Sequence, residues 1–197
     1  MFEFYNNRHG RCRGAIFSFC VFSVLLLALP QQARADGRFE IISAEARQVD
    51  GTWLVDGRVE LDLSEAALEA LQNGITLAIS FQYEVTQRRR FWPDKLIAAK
   101  TQAFELQYLS LSERYLVRRL DADSQDSYAT LFSALRYMGQ VKDYPVAATP
   151  PDAAAGPYSM AMRAVLDREQ LPGPLQVLAF WQGDFSLESE WYRWKPN

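Results

Sequence analysis

The chain carries two cysteines and one histidine in 197 residues, and all three (His9, Cys12 and Cys20) lie among its first twenty positions. From Val21 onward it has neither residue. That stretch can form no disulfide, although an oxidising compartment would allow one. It can build no Cys/His zinc site. It cannot run a Ser-His-Asp or Cys-His mechanism. Carboxylate pairs, Ser-Lys pairs, tyrosine or an oxygen-ligand metal site are the chemistries left. No spacing in the sequence nominates any of them, so no catalytic residue, metal ligand or cofactor is indicated.

A basic excess is also missing. Lys+Arg number 21 against 24 Asp+Glu. An acidic total argues against nucleic acid as a partner, which needs a broad basic face. Long apolar runs are absent too, with one exception at residues 15–29. Arg8, Arg11 and Arg13 precede that run, and Pro30 and Ala33-Arg34-Ala35 follow it. This is the layout of a secretory signal peptide cut after Ala35. The run is shorter than the ~20 residues that comfortably span a bilayer; an uncleaved inner-membrane anchor is the alternative. Cys20 lies inside the apolar run behind the bulky Phe19, which does not suit a lipoprotein. The expected organisation is a signal peptide over residues 1–35 and a single domain over 36–197. Losing Arg8, Arg11, Arg13, Arg34 and Glu3 leaves 17 basic and 23 acidic residues, a net of −6.

What is present is alternation. The organising stretch is residues 75–86, where Leu77, Ile79, Phe81, Tyr83 and Val85 share one parity and polar or small residues take the other. A period of two means a strand with one buried face. Residues 39–49 and 53–63 read as two further strands joined by Asp50-Gly51, a two-residue hairpin signal. Gly57 falls on the apolar parity and marks a bulge or a close backbone approach. Ser64 caps a short helix over 65–72, stopped by Asn73-Gly74. Strands are expected over 96–109 and 115–120. Residues 121–127 read as a turn, with Asp126 or Ser127 capping a second helix striped by Tyr128, Leu131, Phe132, Leu135 and Met138. Strands over 141–146, 158–167, 175–181 and 187–194 complete the chain, with a mobile loop over 147–157. There is no βαβ rhythm. The expected fold is mainly β: an antiparallel β-sandwich, immunoglobulin-like in architecture, with two short helices in the connections. A curved sheet packed on helices is the α+β alternative.

Several segments together resemble a known family. They are the Ala33-x-Ala35 end, residues 88–92, Phe104-x-Leu106-x-Tyr108 with Arg114-Tyr115, and Leu131-x-x-Ala134-Leu135. Tyr158-x-Met160, Leu171-Pro172-x-Pro174 and the ending Ser189-Glu190-Trp191-x-x-Trp194 complete the set. The chain resembles exported proteobacterial proteins grouped as domain of unknown function 4390. The resemblance implies a periplasmic protein, with no established activity. Members are often encoded beside a membrane sensor histidine kinase, which implies that kinase's ectodomain as a partner.

Three clusters are candidates for function. Arg88, Arg89 and Arg90 followed by Phe91 and Trp92 combine anion-binding forks with an aromatic pair. With Arg114, Arg118 and Arg119 they could form a rim for anionic lipid, lipopolysaccharide or an acidic partner. The bland alternative is protection of a sheet edge against aggregation. In the C-terminal segment, parity puts Trp191 opposite Tyr192 and Trp194, and the latter two share a face with Glu188 and Glu190. That face suits a partner surface, or simply core packing. Asp94, Glu105, Asp167, Asp184, Glu188 and Glu190 could supply a glycosidase pair, and Asp121, Asp123 and Asp126 a solvated turn or a weak calcium loop. The favoured function is a non-enzymatic periplasmic binding module. An envelope lipid or glycan carrier is the alternative, and a carboxylate-based glycan hydrolase ranks third.

Overall fold

The computed structural model describes residues 37–148, 157–167 and 187–196. They belong to one unit spanning Ala35–Asn197. Its strands are β1 (Arg38–Val49), β2 (Thr52–Asp62), β3 (Leu77–Gln87), β4 (Lys95–Leu109) and β5 (Arg114–Arg119). They continue with β6 (Ser124–Tyr128), β7 (Gln140–Ala148), β8 (Tyr158–Asp167) and β9 (Tyr192–Trp194). Two helices of eight residues, α1 (Glu65–Gln72) and α2 (Leu131–Met138), sit in the connections.

The strands form two antiparallel sheets, ordered β1-β2-β7 and β6-β5-β4-β3-β8-β9. The mainly β, two-sheet expectation holds. Within it, β3 to β6 run as a simple meander, and β8 and β9 extend the sheet on the far side of β3. Side chains from both sheets meet in one core: the Tyr83 and Tyr144 rings lie 5.0 Å apart, and Trp53 and Tyr158 6.4 Å apart. The core therefore takes side chains from both sheets, and Ala67, Ala70 and Leu71 of α1 and Ala134 and Met138 of α2 join it.

Local chemistry explains most of the element ends. Asp50 and Gly51 both take positive φ, as the tight hairpin between β1 and β2 requires. The Ala67 N–H donates to the Ser64 hydroxyl at 3.3 Å, capping α1, and Gly74 at φ +83° ends it. Gly57 is a close approach: a Cβ there would lie 3.0 Å from the Ser43 carbonyl oxygen. The register of β1 against β2 shifts between Ile41 and Ser43, so Phe39 and Ile41 point inward before the shift and Ala44 and Ala46 after it. Pro145 lies in β7, an edge strand of the smaller sheet, where a missing N–H is tolerated.

Two expectations are corrected. Residues 124–128 form β6 instead of a turn, pairing with β5 from Tyr115↔Tyr128 to Arg119↔Ser124. Without β6 the outer backbone groups of β5 would go unpaired. The cap of α2 is accordingly Thr130, in extended conformation, whose hydroxyl accepts from the Ser133 N–H at 3.2 Å. Tyr128 is a strand residue, not part of the helical stripe. The expected strand over 175–181 and most of the loop over 147–157 lie outside the described residues.

Candidate functional site

The organising stretch becomes β3, and β3 is hydrogen-bonded along both sides, to β4 and to β8. Leu77, Ile79, Phe81, Tyr83 and Val85 are all buried. The strand ends at Gln87, which pairs with Lys95 on one side and Tyr158 on the other. The three arginines then fall in the loop over residues 88–94 that turns β3 into β4. A central strand has no edge to protect, so the edge-protection reading does not apply here.

The loop is pinned near its base. The Arg88 N–H donates to the Pro157 carbonyl at 3.0 Å, and the Arg89 N–H to the Asp94 carboxylate at 3.3 Å. Between these anchors Arg88, Arg89, Arg90, Phe91 and Trp92 are all exposed, Phe91 at 85 % and Trp92 at 73 %. The Arg90 guanidinium carbon sits 5.5 Å from the Phe91 ring centroid, a cation–π contact at an exposed position.

Beside the loop lies a hollow of about 390 Å³. Glu84 and Thr86 of β3, Ser159 and Ala161 of β8, Arg88 and Asp94 of the loop, and Arg193 and Lys195 line it. The Thr86 hydroxyl donates to the Ser159 carbonyl at 3.2 Å and ties the two strands at its floor. Arg193 reaches the hollow because β9 pairs with β8, setting it opposite Ala161. Sequence reasoning missed Arg193 and Lys195. Their signal was faint: two cations of one parity flanking Trp194.

The other candidates do not join this site. Arg114 pairs opposite Leu109, at the end of β4 remote from Lys95. Fourteen residues of extended chain separate the two ends, roughly 45 Å at ~3.3 Å per residue. Arg114 donates to the Ser127 hydroxyl at 2.6 Å and to the Ser127 carbonyl at 2.8 Å. Arg118 is paired with Glu105 and Arg119 with Asp121. The expected arginine rim is therefore corrected: antiparallel register carries β5 away from the loop.

Tyr192 and Trp194 pack against the core instead of facing outward with the glutamates. Leu187 and Ser189 also point inward, so the alternation breaks between Ser189 and Tyr192 and the parity reverses. Ser189 explains the break: its N–H donates to the Ala164 carbonyl, and its hydroxyl accepts from the Ala164 N–H, both at 2.9 Å. Trp191 receives the Arg163 guanidinium over its ring at 4.8 Å.

Three of the carboxylates considered for hydrolysis serve local contacts. Glu105 holds Arg118, Glu188 accepts from Arg163 at 3.2 Å, and Asp94 accepts from the loop backbone. Asp184 lies outside the described residues. Asp126 sits in β6 opposite Val117, and no group of three metal-ligating side chains converges among the described residues.

No curated protein and no solved structure matches the chain. A family described as a domain of unknown function, DUF4390, matches residues 36–195, and the chain belongs to that family.

Proposed function

We propose that this protein is a non-enzymatic binding module of the periplasm, and that its contact surface is the loop over residues 88–94 with the basic hollow beside it. One observation carries the reading. Three arginines, a phenylalanine and a tryptophan are held out in solvent by a loop anchored at its base. Exposing two adjacent large aromatics serves no packing need among the described residues, and such patches mark contact sites. Arginine supplies planar, charge-assisted recognition of carboxylate or phosphate. The family's implied neighbour, a membrane sensor kinase, is the first protein partner to test.

A carrier holding its ligand between the sheets is less well supported. Phe81, Tyr83, Val85, Leu106, Met160 and Met162 fill that space and are at most 1 % exposed. Replacing Arg88, Arg89 and Arg90 together with serine is expected to weaken capture of envelope components while leaving thermal unfolding unchanged. Unaltered capture by the triple variant would remove the loop from the binding surface.

A further inference from the structure

We infer that the loop over residues 88–94 seats on an anionic phospholipid surface. Phe91 and Trp92 enter the boundary between headgroups and acyl chains, and the surrounding cations contact lipid phosphates. This rests on the loop being the contact surface, as proposed above, and names what it contacts.

The geometry is that of a protruding tip. Pairing of β3 stops at Gln87 on both sides, so the loop projects past the last paired residues of β4 and β8. Its apex presents Phe91 and Trp92, and Leu96, just inside β4, is 54 % exposed. Tryptophan and phenylalanine are the side chains that settle at a membrane interface, where apolar and polar surroundings meet.

Charge follows the same pattern. Arg88, Arg89, Arg90 and Lys95 belong to the loop and its base, and Arg193 and Lys195 line the adjoining hollow. Glu84 and Asp94 are the acids among these lining residues, and Asp94 already accepts the Arg89 N–H. A locally basic tip on a chain of net charge −3 is a segregated feature, not a reflection of composition. Anionic bilayers attract such clusters through each added Lys or Arg. The hollow, with Arg88, Arg193 and Lys195 on its walls and the Ser159 residue at its floor, has room for one phosphate headgroup.

Size separates a bilayer from a protein as occupant. A stable protein interface takes about 800 Å² from each partner, commonly 20–30 residues. The seven-residue loop and the eight residues lining the hollow, two of them shared, make thirteen, short of that number, whereas a bilayer needs only a tip that inserts and a ring of cations around it.

The experiment is cosedimentation with vesicles, using the protein in the form the cell retains, so that any contribution of residues 1–35 is common to all variants. Vesicles are phosphatidylcholine alone, or phosphatidylcholine mixed with phosphatidylglycerol. The protein should pellet with the mixed vesicles and not with phosphatidylcholine alone. R88S/R89S/R90S should lower partitioning on the order of a hundredfold, about fivefold per charge. F91S/W92S should also lower it, and should remove whatever binding survives high salt. R58S/R136S, which removes two exposed cations outside the loop, should leave binding unchanged. No pelleting with the mixed vesicles overturns the inference, as does an equal loss in R58S/R136S. If vesicles are not bound but the triple arginine variant loses capture of an envelope protein, the lipid assignment fails and the binding-surface reading stands. If neither vesicle binding nor capture responds to the triple variant, both fail.

Discussion

Phe81 and Phe91 lie ten residues apart on one continuous stretch, yet one is fully buried and the other 85 % exposed. Phe81 sits in β3 with hydrogen-bonded neighbours on both sides and its ring edge-on to Phe104, centroids 5.5 Å apart. Phe91 sits beyond the last paired residue, where no strand among the described residues covers it. The difference is one of surroundings, not of side-chain chemistry. In β3 an aromatic residue stabilises the fold; in the loop it is left available for something outside the fold.

The largest expected effect comes from breaking the buried half. Phe81→Ala should cost about 3–5 kcal/mol, because it deletes a ring from a site that cannot easily collapse. Urea unfolding monitored by circular dichroism measures it. A cost below about 1 kcal/mol would show that this part of the core is loosely packed.

Tyr83→Phe probes the same strand more gently. The Tyr83 hydroxyl donates to Gln102 Oε1 at 3.1 Å, and both residues are buried. Removing the donor leaves the amide oxygen unsatisfied, at about 1–3 kcal/mol. The denaturation midpoint should fall while the slope of the transition stays constant.

Alkaline pH tests the buried tyrosines together. Burial, then Asp121, pushes the Tyr144 hydroxyl up to about 12, and burial pushes Tyr83 up as well. In the unfolded chain these groups ionise near ~10. The folded state thus holds their protons more tightly. The Tyr144 contribution is fully present below about pH 10 and is lost as pH rises through about 12, and the Tyr83 contribution, shifted further by deeper burial, goes on being lost at higher pH. Urea midpoints should fall steadily across that window, and less steeply in Tyr144→Phe.

The smallest effect on stability belongs to the loop. Phe91→Ser and Trp92→Ser should each change unfolding by no more than about 0.5 kcal/mol, as exposed substitutions do. The same variants should impair vesicle binding. A loop change that destabilised as much as Tyr83→Phe would show that the tip packs onto the fold, and the contrast with β3 would collapse.

The parts of the fold that could be read in advance are those encoded locally. Alternation over Leu77 to Val85, Asp50-Gly51 between two alternating runs, and Ser64 with Asn73-Gly74 around α1 each act within a few residues. Residues 124–128, Ser-Gln-Asp-Ser-Tyr, carry little strand propensity apart from Tyr128 and form β6 because β5 needs a partner. The candidate site divides the same way. Arg88, Arg89, Arg90 and Trp92 announce themselves as a cluster, whereas Arg193 and Lys195 are ordinary until β9 is laid against β8. Arg114 looked equivalent to the loop arginines because nothing local states which end of a long strand a hairpin partner will face.

Where the chain alternates, where it turns, and the lack of thiol and imidazole side chains after Cys20 were legible before any fold was known. Side-chain period, turn conformation and composition need no knowledge of distant residues. Tertiary structure alone decided that β3 is central, so that its arginines cap a hairpin instead of guarding an edge. It also turned Tyr192 and Trp194 inward, through a reversal of parity beside Ser189, and brought Arg193 and Lys195 to Arg88. These outcomes depend on which strands pair and in what register. Register is set by the joint burial of both sheets' faces, which no single segment encodes.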